Sequence, residues 1–232
     1  MRCSRCWPTR PRSNRRWGWR TDMSGRLLVF TRTLGYRHES IPAGIEAVRE
    51  LAGMKVDATE EPDAFAGYDA VVFLNTSGDV LDDAGRSAFE NYIRDGGNYV
   101  GVHGAADTGY DWPFYGRLVG AWFDRHPEVQ PATVRVVDAD HPATAGLDPE
   151  WAHTDEWYDF RANPRGRVRV LATVDESSYS GGTMGADHPI AWCHENLGGR
   201  AFYTALGHTV EAYADPAFRR HLAGGLRYAV GG

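Results

Sequence analysis

The stretch GGNYVGVHGAAD, Gly96 to Asp107, decides how the chain is read. Two glycines close a helical pattern, Asn98 to Val102 form a short apolar run, and Gly101-Val102-His103-Gly104-Ala105 then turns the chain on small residues. In α/β enzymes this spacing holds a serine or cysteine nucleophile on a sharp strand-to-helix bend. Here the bend carries histidine, so it is either a nucleophile site turned to other chemistry or an ordinary turn.

Upstream, strands and helices alternate. RLLVF (26–30) reads as a first buried strand. SIPAGIEAVRELAG reads as a helix with Ser40 as N-cap, Pro42 in the first turn, Ile41, Ile45, Val48 and Ala52 on one face, and Gly53 as the stop. KVDAT is a second strand. DAVVFLN (69–75) is a third, apolar without alternation, as a parallel strand covered on both faces should be. DDAGRSAFENYIRDGG is an amphipathic helix that delivers the chain into the Gly96 stretch. Such units build a parallel sheet with right-handed crossovers, and ligands collect beyond the carboxyl ends of its strands.

Downstream of Gly120, ATVRVVD, RVRVLATV, HPIAWCH and GRAFYTAL read as strands without intervening helices, hence antiparallel additions. DPAFRRHLAGGLRYAV closes the chain as a helix, with Asp215 as cap, Pro216 first, and Phe218, Leu222, Leu226 and Ala229 on one face. The fold class expected is α/β, with a mostly parallel central sheet and antiparallel additions in the C-terminal half.

The 232 residues, 42% apolar and 12% aromatic, suffice for one sizeable core. No apolar run approaches the ~18 residues a membrane span needs. Residues 1–22 hold seven arginines and one acid, leaving 18 bases against 30 acids in residues 23–232. That acidic body disfavours nucleic acid, whose binding needs a basic surface, and leaves small neutral molecules as partners. Residues 1–22 read as a disordered extension from an early start codon, with Met23 the natural start and 23–232 one domain. Cys3 and Cys6 have CxxC spacing without a second pair to complete a zinc site, and Cys193 stands alone. No disulfide framework emerges, so a reducing, cytoplasmic compartment is expected.

Strand ends place the candidate chemistry. Tyr36 and His38 follow the first strand, Asn75 the third, and His103 the fourth; His208, with Glu211 three residues on, follows the last. HTDEWYDF contributes His153, Asp155, Glu156, Trp157 and Tyr158, unless it is only a solvated acidic loop. His126, His141, His188, His194 and His221 read as structural, His141 and His188 as turn and strand-entry positions held extended by the following proline.

GYRHES, GGNYVGVHGAAD, WFDRHPE, HPATAGL, DEWY, HPIAW and GRAFYTALGHT together resemble the ThuA-like family, named for trehalose utilisation, within the class I glutamine amidotransferase-like superfamily. The similarity runs from Arg26 to about Val230. It implies a flavodoxin-like three-layer sandwich, with His103 where the amidotransferases hold cysteine and His208 where their partner histidine falls. Without that thiol, glutaminase chemistry by an acyl-enzyme is not expected, and Cys193 in a strand interior does not restore it.

A small-molecule sugar is the expected ligand, because Tyr36, Tyr110, Trp112, Trp157 and Tyr158 supply rings for its C–H faces. Three readings stay open. In the first, the chain is an enzyme acting on a disaccharide or keto-sugar derivative, with His103, His208 and Glu156 catalytic and Tyr36, His38, Asn75, Trp112, Asp155 and Tyr158 binding substrate. In the second, His38, His103, His153 or His208 joins Glu156 around zinc or a similar divalent ion, although no HxH or HExxH spacing marks it. In the third, the chain is a non-catalytic sugar-binding module. A homo-oligomer is compatible with all three.

Overall fold

Three short apolar runs, buried along almost their whole length, form the middle of one half of the central sheet. The computed structural model describes residues 25–61 and 65–231; the Arg-rich extension and the Cys3–Cys6 pair lie outside them. Strands β1 (Arg26–Phe30), β3 (Ala70–Leu74) and β4 (Asn98–Val102) are parallel neighbours, and β2 (Lys55–Thr59) flanks β1. Every residue of β3 is buried, which is why its sequence shows no alternation. Helices α1 (Ile41–Ala52), α2 (Asp83–Arg94), α3 (Pro113–Val119) and α4 (Pro216–Ala229) cover the faces.

The remaining strands are β5 (Phe123–Arg125), β6 (Gln130–Val136), β7 (Glu150–Asp155), β8 (Asp159–Phe160), β9 (Arg169–Asp175), β10 (Pro189–His194) and β11 (Ala201–Thr204). The nine-stranded sheet runs β2-β1-β3-β4-β11-β10-β9-β6-β7, and β5 with β8 forms a separate two-stranded ribbon. Pairing from β10 through β7 is antiparallel, as expected. GRAFYTAL differs: β11 is antiparallel to β10 but parallel to β4, in register Tyr203↔Gly101 and Thr204↔Val102. All four residues of β11 are buried, so it is a central strand, and its carboxyl end emerges beside His103.

Adjacent residues of β3 show the two layers. Leu74 meets α1 at Gly44, where an added Cβ would lie 2.9 Å from the leucine methyls. Phe73 points the other way, into Phe89 of α2 and Tyr115 of α3. Close approach at Gly44 rotates the buried face of α1 to Ile41, Gly44, Ala47 and Val48, leaving Ile45 and Ala52 half-buried. Ser40 does not cap α1 with its side chain; its hydroxyl donates instead to the Gly207 carbonyl at 3.2 Å. Asp82 and Asp215 do cap their helices, accepting from Gly85 N and Ala217 N. In α4, Phe218, Leu222, Leu226 and Ala229 are buried as the spacing requires.

Strand β7 was not legible in the sequence. Trp151, His153 and Asp155 alternate inward against exposed Glu150, Ala152 and Thr154, but two of the three inward residues are polar, which hides the period.

Candidate functional site

Among the described residues two non-glycine positions adopt left-handed backbone, Asn75 at φ 51° and His103 at φ 43°, and both follow a central strand directly. Each such position costs on the order of 1–3 kcal/mol and persists only where surrounding contacts impose it. For His103 those contacts are Ala205 O, 2.6 Å from Nδ1, and Tyr203 OH, which donates to the His103 carbonyl at 3.0 Å. Asn75 donates through Nδ2 to Ser40 Oγ and Gly207 O, while its Oδ1 accepts from Gly104 N. Gly104 must be glycine-sized, because a Cβ there would lie 3.1 Å from Asn75 Cα, His38 Cε1 and Thr76 O.

A carbonyl only accepts, so His103 Nδ1 carries a proton and Nε2 is the ring nitrogen that faces the site. Nε2 lies 3.3 Å from Glu156 Oε2 and 3.2 Å from His208 Nδ1, and those two atoms are themselves 3.2 Å apart. His38 sets its ring edge-on to both imidazoles, with centroids at 4.8 and 5.1 Å, and its buried Nδ1 has no hydrogen-bond partner. Tyr158 covers His103 at 4.1 Å between centroids. Four of the residues expected at the site, His38, His103, Glu156 and His208, thus come from four separate segments to one point at the carboxyl edge of the parallel strands. Access is narrow: the His103 side chain is sealed, while those of His208 and Glu156 are 19% and 10% exposed.

Electrostatics follow this crowding. Burial pushes the Glu156 carboxyl up, but hydrogen bonds and charge from His103 and His208 outweigh it and hold the group far below the usual carboxylate range. Burial pushes His208 down, and its bond to Glu156 reverses that to a net rise. For His38, burial and then the charges of His103 and His208 outweigh the opposing pull of Glu156, so it falls to about 2 and stays neutral.

The other expected residues divide. Tyr36 is 62% exposed at the rim, edge-on to His38. Asp155 is sealed, and its carboxylate is filled by the backbone N–H groups of Gly207, His208 and Glu156 and by His153 Nε2. It therefore positions the two reactive segments and has no oxygen left for a substrate. Asn75 is likewise buried with its amide fully engaged. Trp112 is displaced from the site altogether: it stacks on Tyr115 at 5.3 Å and donates to Glu90, because the helix start at Pro113 turns the ring into the core. Trp157 is buried too, donating to Gln130 O. His153 is clamped between Asp155 and Asp215 (3.2 and 2.6 Å), away from the His103 group, and Glu211 is exposed in a short 3-10 turn.

His126, read as structural from the sequence, belongs at the site: Nδ1 lies 3.0 Å from Glu156 Oε1 and 2.9 Å from Pro127 O. It arrives through the pairing of β5 with β8, Phe123 opposite Phe160, which no local pattern announces. Its signal was the WFDRHPE motif. Asp107, on the 3-10 turn after His103, is a further neighbour missed in the sequence; burial raises its pKa while Tyr110 donates to it at 2.6 Å. Cys193 is buried in β10, and burial pushes its thiol up to about 11, which leaves it without thiolate character. An open groove of about 740 Å³ lies elsewhere, lined by Arg32, Glu61, Asp79, Asp82, Arg86 and Asp111. Arg86 there is already paired with Asp79 and Asp111, so the chemistry is assigned to the imidazoles and not to the groove.

A parallel sheet carrying a strained strand-end bend, with a second histidine, His208, in the loop just beyond the neighbouring parallel strand β11, defines the flavodoxin-like, class I amidotransferase-like class, here with imidazole at the bend. Residues 26–229 match the ThuA family, described as trehalose utilisation, and the chain belongs to that family. A ThuA-like protein of Bacteroides uniformis is similar at 25% identity and TM-score 0.78, over 91% of this chain and 94% of that one. One of Parabacteroides merdae is similar at 22% identity and TM-score 0.75, over 88% and 89%. PurLQS of Thermotoga maritima shares the fold at 13% identity and TM-score 0.58, over 89% and 99%. No curated protein is significantly similar. Among the described residues no helix is long and apolar enough to cross a membrane.

Proposed function

We propose that the protein is an enzyme of carbohydrate metabolism that acts on a disaccharide or keto-sugar derivative and has no glutaminase activity. One observation carries this reading: the strained bend that would present a nucleophile presents His103 Nε2, 3.3 Å from a carboxylate and 3.2 Å from a second imidazole. Such a bend is retained at a cost only where the group it aims is used. Without a thiol no acyl-enzyme forms, while imidazoles beside a carboxylate suit proton transfer at hydroxyl-bearing or carbonyl-adjacent carbons, typically worth about 10²–10⁴ in rate. Tyr36 at the rim offers an exposed ring against which a sugar face can lie. The cytoplasm is the compartment that suits a free, buried Cys193.

The test is incubation with trehalose, other disaccharides and their 3-keto forms, followed by NMR of the sugar. Turnover lost in His103→Asn supports the reading. Turnover that survives that change removes the central residue, and ligand-induced stabilisation with no sugar consumed makes the protein a binding module.

A further inference from the structure

The geometry points to a divalent transition-metal ion held by His38, His103, His208 and Glu156. This deepens the proposed function, since it rests on the same cluster being the active site. One ligand-capable atom from each of the four residues lies within 4.8 Å of all the others. Three of them, Glu156 Oε2, His103 Nε2 and His208 Nδ1, form a triangle with sides of 3.3, 3.2 and 3.2 Å. Ligands at metal bonds of 2.0–2.1 Å in a tetrahedron stand about 3.3 Å apart, so these three atoms already outline one face of such a site. With Nε2 unprotonated, His103 and the Glu156 Oε2 beside it are two acceptors facing each other, and a cation at that point removes the repulsion.

A second observation is independent of the triangle. His38 is 4% exposed and its Nδ1 has no partner, which in a buried imidazole is a group waiting for a ligand. The outer contacts are those that metal sites use to orient their ligands. His103 donates its other N–H to Ala205 O, Glu156 turns its second oxygen to His126, and Asp155 fixes the backbone of both Glu156 and His208. Three imidazole nitrogens and one carboxylate oxygen suit zinc and its first-row neighbours, and disfavour magnesium or calcium, which take oxygen. With the ion in place His103 is a ligand and not a base, and proton transfer falls to the Glu156 Oε1–His126 pair at 3.0 Å.

A second group, Asp159, Glu176 and His188, has comparable spacing but fails the same criteria. His188 Nε2 donates to Tyr158 O at 2.9 Å, and Nδ1 meets both Glu176 at 2.8 Å and the Tyr179 hydroxyl at 3.2 Å, which can donate to it, so both ring nitrogens already have scaffold partners.

The test uses the full chain without a histidine tag, stripped with chelator and titrated with Zn²⁺ by calorimetry and with Co²⁺ by visible absorption. One equivalent per chain is expected, with Co²⁺ bands characteristic of low-coordinate nitrogen and oxygen ligation. His208→Ala and Glu156→Gln should each weaken binding at least ~100-fold, more than loss of an outer contact does. His208 is partly exposed, so its variant should fold, as circular dichroism will show. His188→Leu should leave binding unchanged. Absence of binding by the stripped wild-type chain, binding that survives His208→Ala and Glu156→Gln together, or binding that disappears in His188→Leu would each overturn the assignment. One-to-one binding with no sugar turned over supports the ion and counts against the sugar reading; turnover undiminished in chelated protein overturns the ion and leaves the sugar reading standing.

Discussion

The groups around His103 and around His188 contain the same ingredients at similar spacing, imidazole and carboxylate brought together from different strands. Around His188, Nε2 donates to Tyr158 O, Nδ1 meets Glu176 and the Tyr179 hydroxyl, Glu176 also accepts from Met184 N, and Asp159 accepts from Thr183. Around His103, two imidazole nitrogens crowd one Glu156 oxygen with no hydroxyl or backbone donor among them, His38 Nδ1 has no partner, and the backbone is left-handed. A buried polar group that is fully bonded stabilises the fold, and one that is not must be held in place by it. Composition alone does not separate the two; satisfaction does.

The largest effect that would break this contrast is on turnover. His103→Asn, which tolerates the positive φ, should lower the rate by about 10²–10⁴ with the fold intact. Unchanged sugar kinetics would make the two groups equivalent.

The converse change is His188→Leu. It keeps the volume but strips partners from Glu176 and the Tyr158 carbonyl, and urea denaturation should show a loss of about 2–3 kcal/mol. A stable variant would mean that His188 is no strut.

Smaller still is Gly104→Ala, where the new methyl meets Asn75, His38 and Thr76 at 3.1 Å. About 1–3 kcal/mol is expected in thermal unfolding, together with weakened activity as His38 is pushed aside.

Acid should probe the remaining buried imidazoles. Burial lowers His141 and His221 to about 4, below the ordinary value of 6.5. The unfolded chain therefore takes up protons first, so stability is whole above pH 6.5 and falls as pH drops towards 4, roughly 2 kcal/mol for each group by pH 5. His221→Leu should flatten that slope in urea midpoints measured from pH 7 to 5. The opposite sign holds for His153: burial lowers it, but Asp155 and Asp215 raise it overall, so its contribution is present below pH 6.5 and is lost as pH climbs through its raised value.

The smallest effect belongs to the rim. Tyr36→Ala should leave stability within about 0.5 kcal/mol and weaken sugar binding about 3-fold to 10-fold; no change in KM would remove Tyr36 from the substrate's path.

The parallel half of the sheet was legible because burial on both faces leaves unbroken apolar runs such as AVVFL, and because Gly53 and Pro216 punctuate the helices. His38, His103 and His208 were legible as strand ends of that sheet. Strand β7 and the β5–β8 ribbon were not, since edge pairing with polar inward residues carries little periodicity; His126 was misread with them. Trp112 was misplaced for the related reason that an aromatic near a strand end can turn either to the rim or to the core.

By itself the amino-acid order determined the α/β alternation, the strand-end turn that carries a histidine and the absence of a thiol there, because all three depend on neighbours a few residues apart. Only the tertiary structure decided that Glu156 and His126 join that bend, that Asp155 supports it, and that His188 stands apart fully bonded. Those outcomes depend on which polar atoms meet across segments from 30 to 105 positions apart in the chain, and hydrogen-bond satisfaction at that range leaves no periodic trace.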